Sequence, residues 1–246
     1  MRRLLFLFAL ATPLLAQADL TGVYQLIDER QQDAGTLTIQ VRDEQHIRYD
    51  MQGREPGQSG STLLLGEKLY MITAQGEVMD MDMLGAVAGA LMTPQARQAM
   101  AKAPEVVATG GVRTVAGLRG EVVRWSDGRH QGEAILSADP RARLLGRAME
   151  RLGDRMEKTL GDQQASRTWR QLRDAPELRD KGVLSALENG GGGMRLLRID
   201  ESPLPDARFV LPKKPGATAL PGLPNGLPNL DDPQLQQMLR GLMQQR

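Results

Sequence analysis

Between Thr109 and Leu160 the chain spells strand, strand, tight turn, strand and long helix, and this block limits the fold more than any other stretch. Val112 to Leu118 and Arg119 to Ser126 are rich in apolar and β-branched residues. Asp127-Gly128 offers the two positive-φ positions of a type I′ turn before Arg129 to Ser137 returns. Asp139-Pro140 then opens a helix, because Asp caps free amides of the first turn and Pro is tolerated at the first helical position. Leu144, Leu145, Ala148, Met149, Leu152, Met156 and Leu160 recur at three- and four-residue steps, so the helix carries one apolar stripe. An antiparallel sheet followed directly by such a helix is α+β architecture.

The first residues carry an export signal. Arg2 and Arg3 precede an apolar run from Leu4 to Leu15, and Ala16-Gln17-Ala18 is a small-x-small cleavage pattern, so cleavage is expected after Ala18. The run is too short to span a bilayer, and no later segment reaches the roughly 18 apolar residues a spanning helix needs. The expectation is a periplasmic protein without a transmembrane anchor. The chain has no cysteine, which excludes disulfides and thiolate metal sites. It also excludes a lipoprotein, because acylation needs a cysteine where Asp19 stands. Removing Arg2 and Arg3 leaves 29 Lys and Arg against 30 Asp and Glu, and this near-neutral balance lacks the basic footprint expected for nucleic acid.

From Leu20 the chain reads as short strands: Leu20 to Ile27, Gly35 to Arg42, Gln45 to Gln52, Ser61 to Leu65, Lys68 to Ala74 and Glu77 to Met81. Leu37, Ile39 and Val41 alternate with Thr36, Thr38 and Gln40, which puts one face on a core and one in water. Such a sheet needs cover. Asp82 to Ala103, with its Gly85 and Gly89, is the first candidate, and Ser166 to Asp180, with Trp169, Leu172 and Leu178, is a second helical stretch. Gly190 to Gly193 make a turn before the strand Met194 to Glu201; lacking a following Lys-Ser/Thr they do not read as a phosphate cradle. A last strand is expected over Ala207 to Leu211.

After Pro212 the composition changes. Residues 213–230 are a Pro- and Gly-rich linker, expected to be disordered, and residues 231–246 form a short amphipathic helix whose stripe is Leu235, Met238, Leu239, Leu242 and Met243. A helix of that length is marginal alone and wants a partner surface.

No catalytic constellation is visible. His46 and His130 are the only histidines and lie in separate strand-like stretches; the helical acids Glu150, Asp154 and Glu157 sit among Arg147, Arg151, Arg155 and Lys158, where i, i+4 pairing accounts for them. A non-enzyme with no cofactor and no metal is therefore expected. Met79-Asp80-Met81-Asp82-Met83 alternates thioethers on one strand face and offers Cu(I) chemistry, although Met also fills inward strand faces.

Ile47 to Met51 (Ile-Arg-Tyr-Asp-Met), Lys68-Leu69-Tyr70-Met71, Thr114-Val115-Ala116-Gly117 leading to the Asp-Gly turn, and Phe209-Val210-Leu211-Pro212 occur in an order that resembles an uncharacterised periplasmic family related to LolA-like lipoprotein carriers and sensors (the LolA/LolB/RseB-type half-barrel). The likeness covers about Leu20 to Pro212. It implies a curved antiparallel sheet, an incomplete β-barrel with helices on the concave side and an apolar concavity for acyl chains. On that basis residues 19–212 form one domain. Its groove is expected at Met71, Met79, Met81, Leu84, Val87, Leu91 and Met92, for a hydrophobic ligand such as a lipid, an acyl chain or a hydrophobic peptide segment. The alternative is an interaction module that uses the tethered C-terminal helix to dock on an envelope protein.

Overall fold

The computed structural model describes residues 19–54, 58–82, 105–126, 131–160 and 180–212. These form eleven strands and one α-helix: β1 (Leu20–Ile27), β2 (Asp33–Asp43), β3 (His46–Gly53), β4 (Gly60–Leu65), β5 (Lys68–Thr73), β6 (Val78–Asp80), β7 (Glu105–Val115), β8 (Leu118–Ser126), β9 (Gln131–Ser137), α1 (Pro140–Leu160), β10 (Gly182–Glu188) and β11 (Gly193–Asp200). A single 3-10 turn, Asp206–Phe209, follows. All strands join one open antiparallel sheet in the order β6-β5-β4-β3-β2-β1-β11-β10-β9-β8-β7. Two meanders are thus welded where the first strand pairs with the last, from Thr21 opposite Asp200 to Ile27 opposite Gly193.

The expected early strands all form, and their alternation decides the core. Leu20, Val41, Ile47, Leu64 and Leu69 are successive cross-strand partners from β1 to β5, and each is at most 3% exposed. A row of directly opposed aliphatic side chains fixes the register, because a one-residue slip would turn every member to the other face. α1 lies on this row through Ala142, Leu145 and Ala148. Asp139 caps it as the sequence predicts: its Oδ1 accepts the Arg141 amide at 2.9 Å. The apolar stripe is buried at its start and runs out of cover at Met156, which is exposed. Where α1 crosses β10, a Cβ on Gly182 would stand 1.8 Å from the Ala142 carbonyl oxygen, so only glycine permits the approach.

On the opposite face Leu63, Tyr70, Ile72 and Val78 form a second cluster, covered by Phe209 with Leu204 and Leu211. Val123, Ala134 and Leu136 form a third with Val106, Val183 and Ala186. β10 and β11 share only three paired positions, Ser185 with Arg195, Ala186 with Met194 and Leu187 with Gly193. The ladders on either side carry bulges, at Val23/Tyr24 between β1 and β11 and at Val183/Ser185 between β9 and β10, which raise the local twist.

Several expectations are corrected. Val112 to Leu118 is not one strand: β7 starts earlier, at Glu105, and the chain reverses at Ala116-Gly117, both at positive φ (51° and 77°), which is the type I′ pattern at an Ala-Gly pair. Ala207 to Leu211 is not a strand, because Phe209 must turn inward onto the second cluster and a 3-10 turn delivers it. Glu77 to Met81 shortens to Val78–Asp80, with Met81 already in helical geometry. Of the several helices expected, one is described. The stretch from residue 83 to residue 104, most of Ser166 to Asp180, the Asp127-Gly128 turn, the export signal and everything after Pro212 lie outside the described residues.

Candidate functional site

Three of the seven predicted groove residues are described, and they come together. Met71 on β5 is the direct cross-strand partner of Met79 on β6, so both side chains leave the same face of the sheet. That is the face of the main core, against which Met71 packs half-buried and in which Met81 is buried. Met79 and Met81 are 6% and 5% exposed, so neither lines an open cavity. Leu84, Val87, Leu91 and Met92 lie outside the described residues, as do Leu235, Met238, Leu239, Leu242 and Met243.

The expected alternation of thioethers along one strand fails, because β6 ends at Asp80 and Met81 belongs to the next turn. The carboxylate of Asp80 is not turned freely to solvent: it accepts the Asp82 amide at 3.0 Å and lies 3.8 Å from the Lys68 ammonium, with its side chain 14% exposed. Among the described residues no cluster of three or more His, Asp or Glu side chains is arranged to hold a metal.

The methionine region is bounded by charge carried on α1. Arg155 approaches Glu67 at 3.5 Å and Asp82 at 3.6 Å, and Arg151 approaches Glu67 at 3.3 Å and Glu44 at 3.6 Å. These cations therefore reach across to the turns β2–β3 and β4–β5 and to the end of β6, in addition to any pairing along the helix. The Arg155 Nε is buried without a hydrogen-bond partner among the described residues. Beside this belt, Val41, Ile47, Leu144 and Ala148 floor a cleft of about 170 Å3 rimmed by Glu44 and Arg151.

Two tyrosines that the sequence reading did not single out tie the layers together. Tyr49 donates to the Ala148 carbonyl at 2.5 Å and Tyr24 to the Val183 carbonyl at 3.1 Å. Burial pushes both phenols well above their ordinary range, because the phenolate would lose water; at Tyr49 the Arg151 cation offsets only part of that loss. The signal was present in the alternation: Tyr49 is in phase with inward Ile47, and Tyr24 with inward Leu20.

The outer face carries a polar clamp instead of a site. Asp50 accepts from Arg48 Nε at 2.8 Å, from the Ser61 hydroxyl at 2.5 Å and from Arg208 Nη2. Arg208 Nε also donates to Gln40 Oε1 at 2.8 Å. Arg42 donates to Asp19 at 3.2 Å and to Asp206 at 2.6 Å, and its guanidinium lies 4.8 Å from the centre of the Phe209 ring. Its hydrogen bonds to both carboxylates hold the Arg42 guanidinium above its usual range. Together these contacts fasten residues 204–209 to the sheet. His46 opens β3, with Nδ1 2.9 Å from the Asp43 carboxylate and its ring edge-on to Phe209. Partial burial opposes charge on Asp43, but bonds from His46 and from the Gln45 amide outweigh it and hold that carboxyl below the usual range. His130 lies outside the described residues.

No family model matches the sequence, and no curated protein does. Among solved structures, PNGF-II in a C2 crystal form aligns at a TM-score of 0.39 and 8% identity, over 78% of this chain and 29% of that one. PNGF-II in a P21 form aligns at 0.37 and 9%, over 78% and 30%. The chain thus spans less than a third of that protein, and likeness at this level says nothing about shared fold or activity.

Proposed function

We propose that this chain is a non-enzymatic periplasmic binding protein of the LolA-like half-barrel kind, with an apolar groove for an acyl chain, a lipid or a hydrophobic peptide segment. The observation that carries the reading is the convergence of Met71, Met79 and Met81 on the core side of the sheet at its β5–β6 edge. β6 is three residues long and ends the sheet, so the apolar face runs out to an edge lined by thioethers. Methionine is unbranched and polarizable, and repacks around an irregular apolar guest at low cost. The groove opens by displacement of these side chains when a ligand enters, and the cations of Arg151 and Arg155 border its mouth.

The test begins with mature protein taken from its native compartment. Native mass spectrometry and organic extraction are expected to return a reproducible lipid, which Met81→Asp abolishes while near-ultraviolet circular dichroism shows the fold retained. A clean apo mass, or a lipid that survives Met81→Asp in a folded variant, overturns the reading.

A further inference from the structure

A groove of about 390 Å3 lies among β7, β9, β10 and β11, on strands that carry none of the methionines just described. That size is within the range of small-molecule sites. Its floor is set by register: Arg195 on β11 faces Ser185 on β10, and Ser185 faces Ile135 on β9, so the three side chains stand in one cross-strand row. Ser185 is 3% exposed and belongs to the groove lining, opposite Arg195.

The charge of the lining is unbalanced by one. Arg113 on β7 and Glu133 on β9 are both part of it and pair with each other at 2.5 Å, which cancels them. Arg195 is exposed and has no ion pair among the described residues, so one cation remains uncompensated. Part of the wall is apolar. Val115 and Leu187 contribute, as does Leu197, the extra residue of the β11 bulge, which has no partner opposite it on β1 and is 49% exposed. A bulge re-aims a side chain away from the regular pleat, and here an exposed leucine results beside a free guanidinium.

We infer that this groove binds a monoanionic amphiphile of the fatty-acid type, its carboxylate on the Arg195 guanidinium with the Ser185 hydroxyl as second donor and its alkyl tail along Val115, Leu187 and Leu197. A guanidinium accepts a carboxylate through two parallel N–H donors, and the single uncompensated charge matches one anionic head. The site is separate from the methionine edge, and the two stand or fall independently.

Sodium octanoate and its uncharged counterpart 1-octanol are the probes, titrated into the full mature chain and followed by nuclear magnetic resonance. Octanoate is expected to bind saturably, with octanol at least about tenfold weaker, because a hydrogen bond to a charged group is worth about 1.5–3 kcal/mol. Arg195→Gln is expected to weaken octanoate by roughly tenfold, and Leu197→Asp to weaken it similarly, whereas Arg147→Gln on α1 removes a comparable surface charge and leaves it unchanged. All three positions are at least partly exposed in the fold, and circular dichroism verifies each variant. No saturable octanoate binding, equal binding of octanol, or a dissociation constant indifferent to Arg195→Gln overturns the proposal. The titration reads this groove whether or not a lipid co-purifies at the methionine edge.

Discussion

The phenol of Tyr49 on β3 donates to the carbonyl of Ala148 in α1 at 2.5 Å, joining sheet to helix across 99 residues of chain. Truncation to Tyr49→Phe keeps the ring and removes one buried hydrogen bond, which should lower unfolding free energy by about 1 kcal/mol in a urea titration. Tyr49→Ala also opens a cavity and should cost about 3–5 kcal/mol.

The same bond sets an alkaline limit. The folded phenols of Tyr24 and Tyr49 are raised above the unfolded value of about 10, so the stability they confer is intact below that pH and declines as pH rises beyond it. Denaturant midpoints measured from pH 8 to 11.5 should fall above about pH 10. The double variant Tyr24→Phe, Tyr49→Phe should show a flatter alkaline limb, and an unchanged slope refutes the assignment.

At the other end of the scale stands Asp139. Its hydrogen bond from the Arg141 side chain, followed by the Arg141 amide, holds the carboxyl below the usual range. Its contribution is therefore present above the unfolded value of about 3.9 and is lost as pH falls through the folded one. Asp139→Ala should cost about 1 kcal/mol at pH 7, the usual worth of a helix cap, and much less at pH 2.5.

Gly182→Ala tests the close contact of α1 with β10. The added methyl would overlap the Ala142 backbone carbonyl, which no rotamer change relieves. A loss of roughly 1–3 kcal/mol or more is expected, whereas Gly153→Ala inside α1, where a Cβ meets nothing within 4 Å among the described residues, should stabilise by about 0.5–1 kcal/mol.

The clamp of the outer face predicts where the domain ends. Phe209 fills the cluster of Leu63, Tyr70, Ile72 and Val78, and Arg208 meets Asp50 above it. A chain ending at Pro212 should keep the melting temperature of the mature protein, whereas one ending at Asp200 should bare the cluster and bind an apolar dye. Phe209→Ala in the full chain should cost about 3–5 kcal/mol.

Much of the fold was legible because its signals are local. Alternation in Leu37, Ile39 and Val41 assigned a face, and Asp139-Pro140 started the helix where it starts, since a cap involves atoms only two residues apart. The reversal at Ala116-Gly117 was missed because apolar residues continue through it and only backbone conformation marks the turn. Of the candidate site, Met71, Met79 and Met81 were legible as groove candidates, but that Met71 stands opposite Met79, and how deeply each is buried, depends on register and on what is packed above them.

The sequence by itself determined where the early strands run, which of their residues face inward, and the helix with its cap, because each depends on neighbours within a few residues. The tertiary structure decided that β1 pairs with β11, that β6 and β7 lie at opposite edges, and that Ser185, Arg195 and the bulged Leu197 meet in one groove. Every strand offers the same backbone donors and acceptors to any neighbour. The choice among partners comes from summing side-chain burial over the whole sheet, and no local stretch contains that sum.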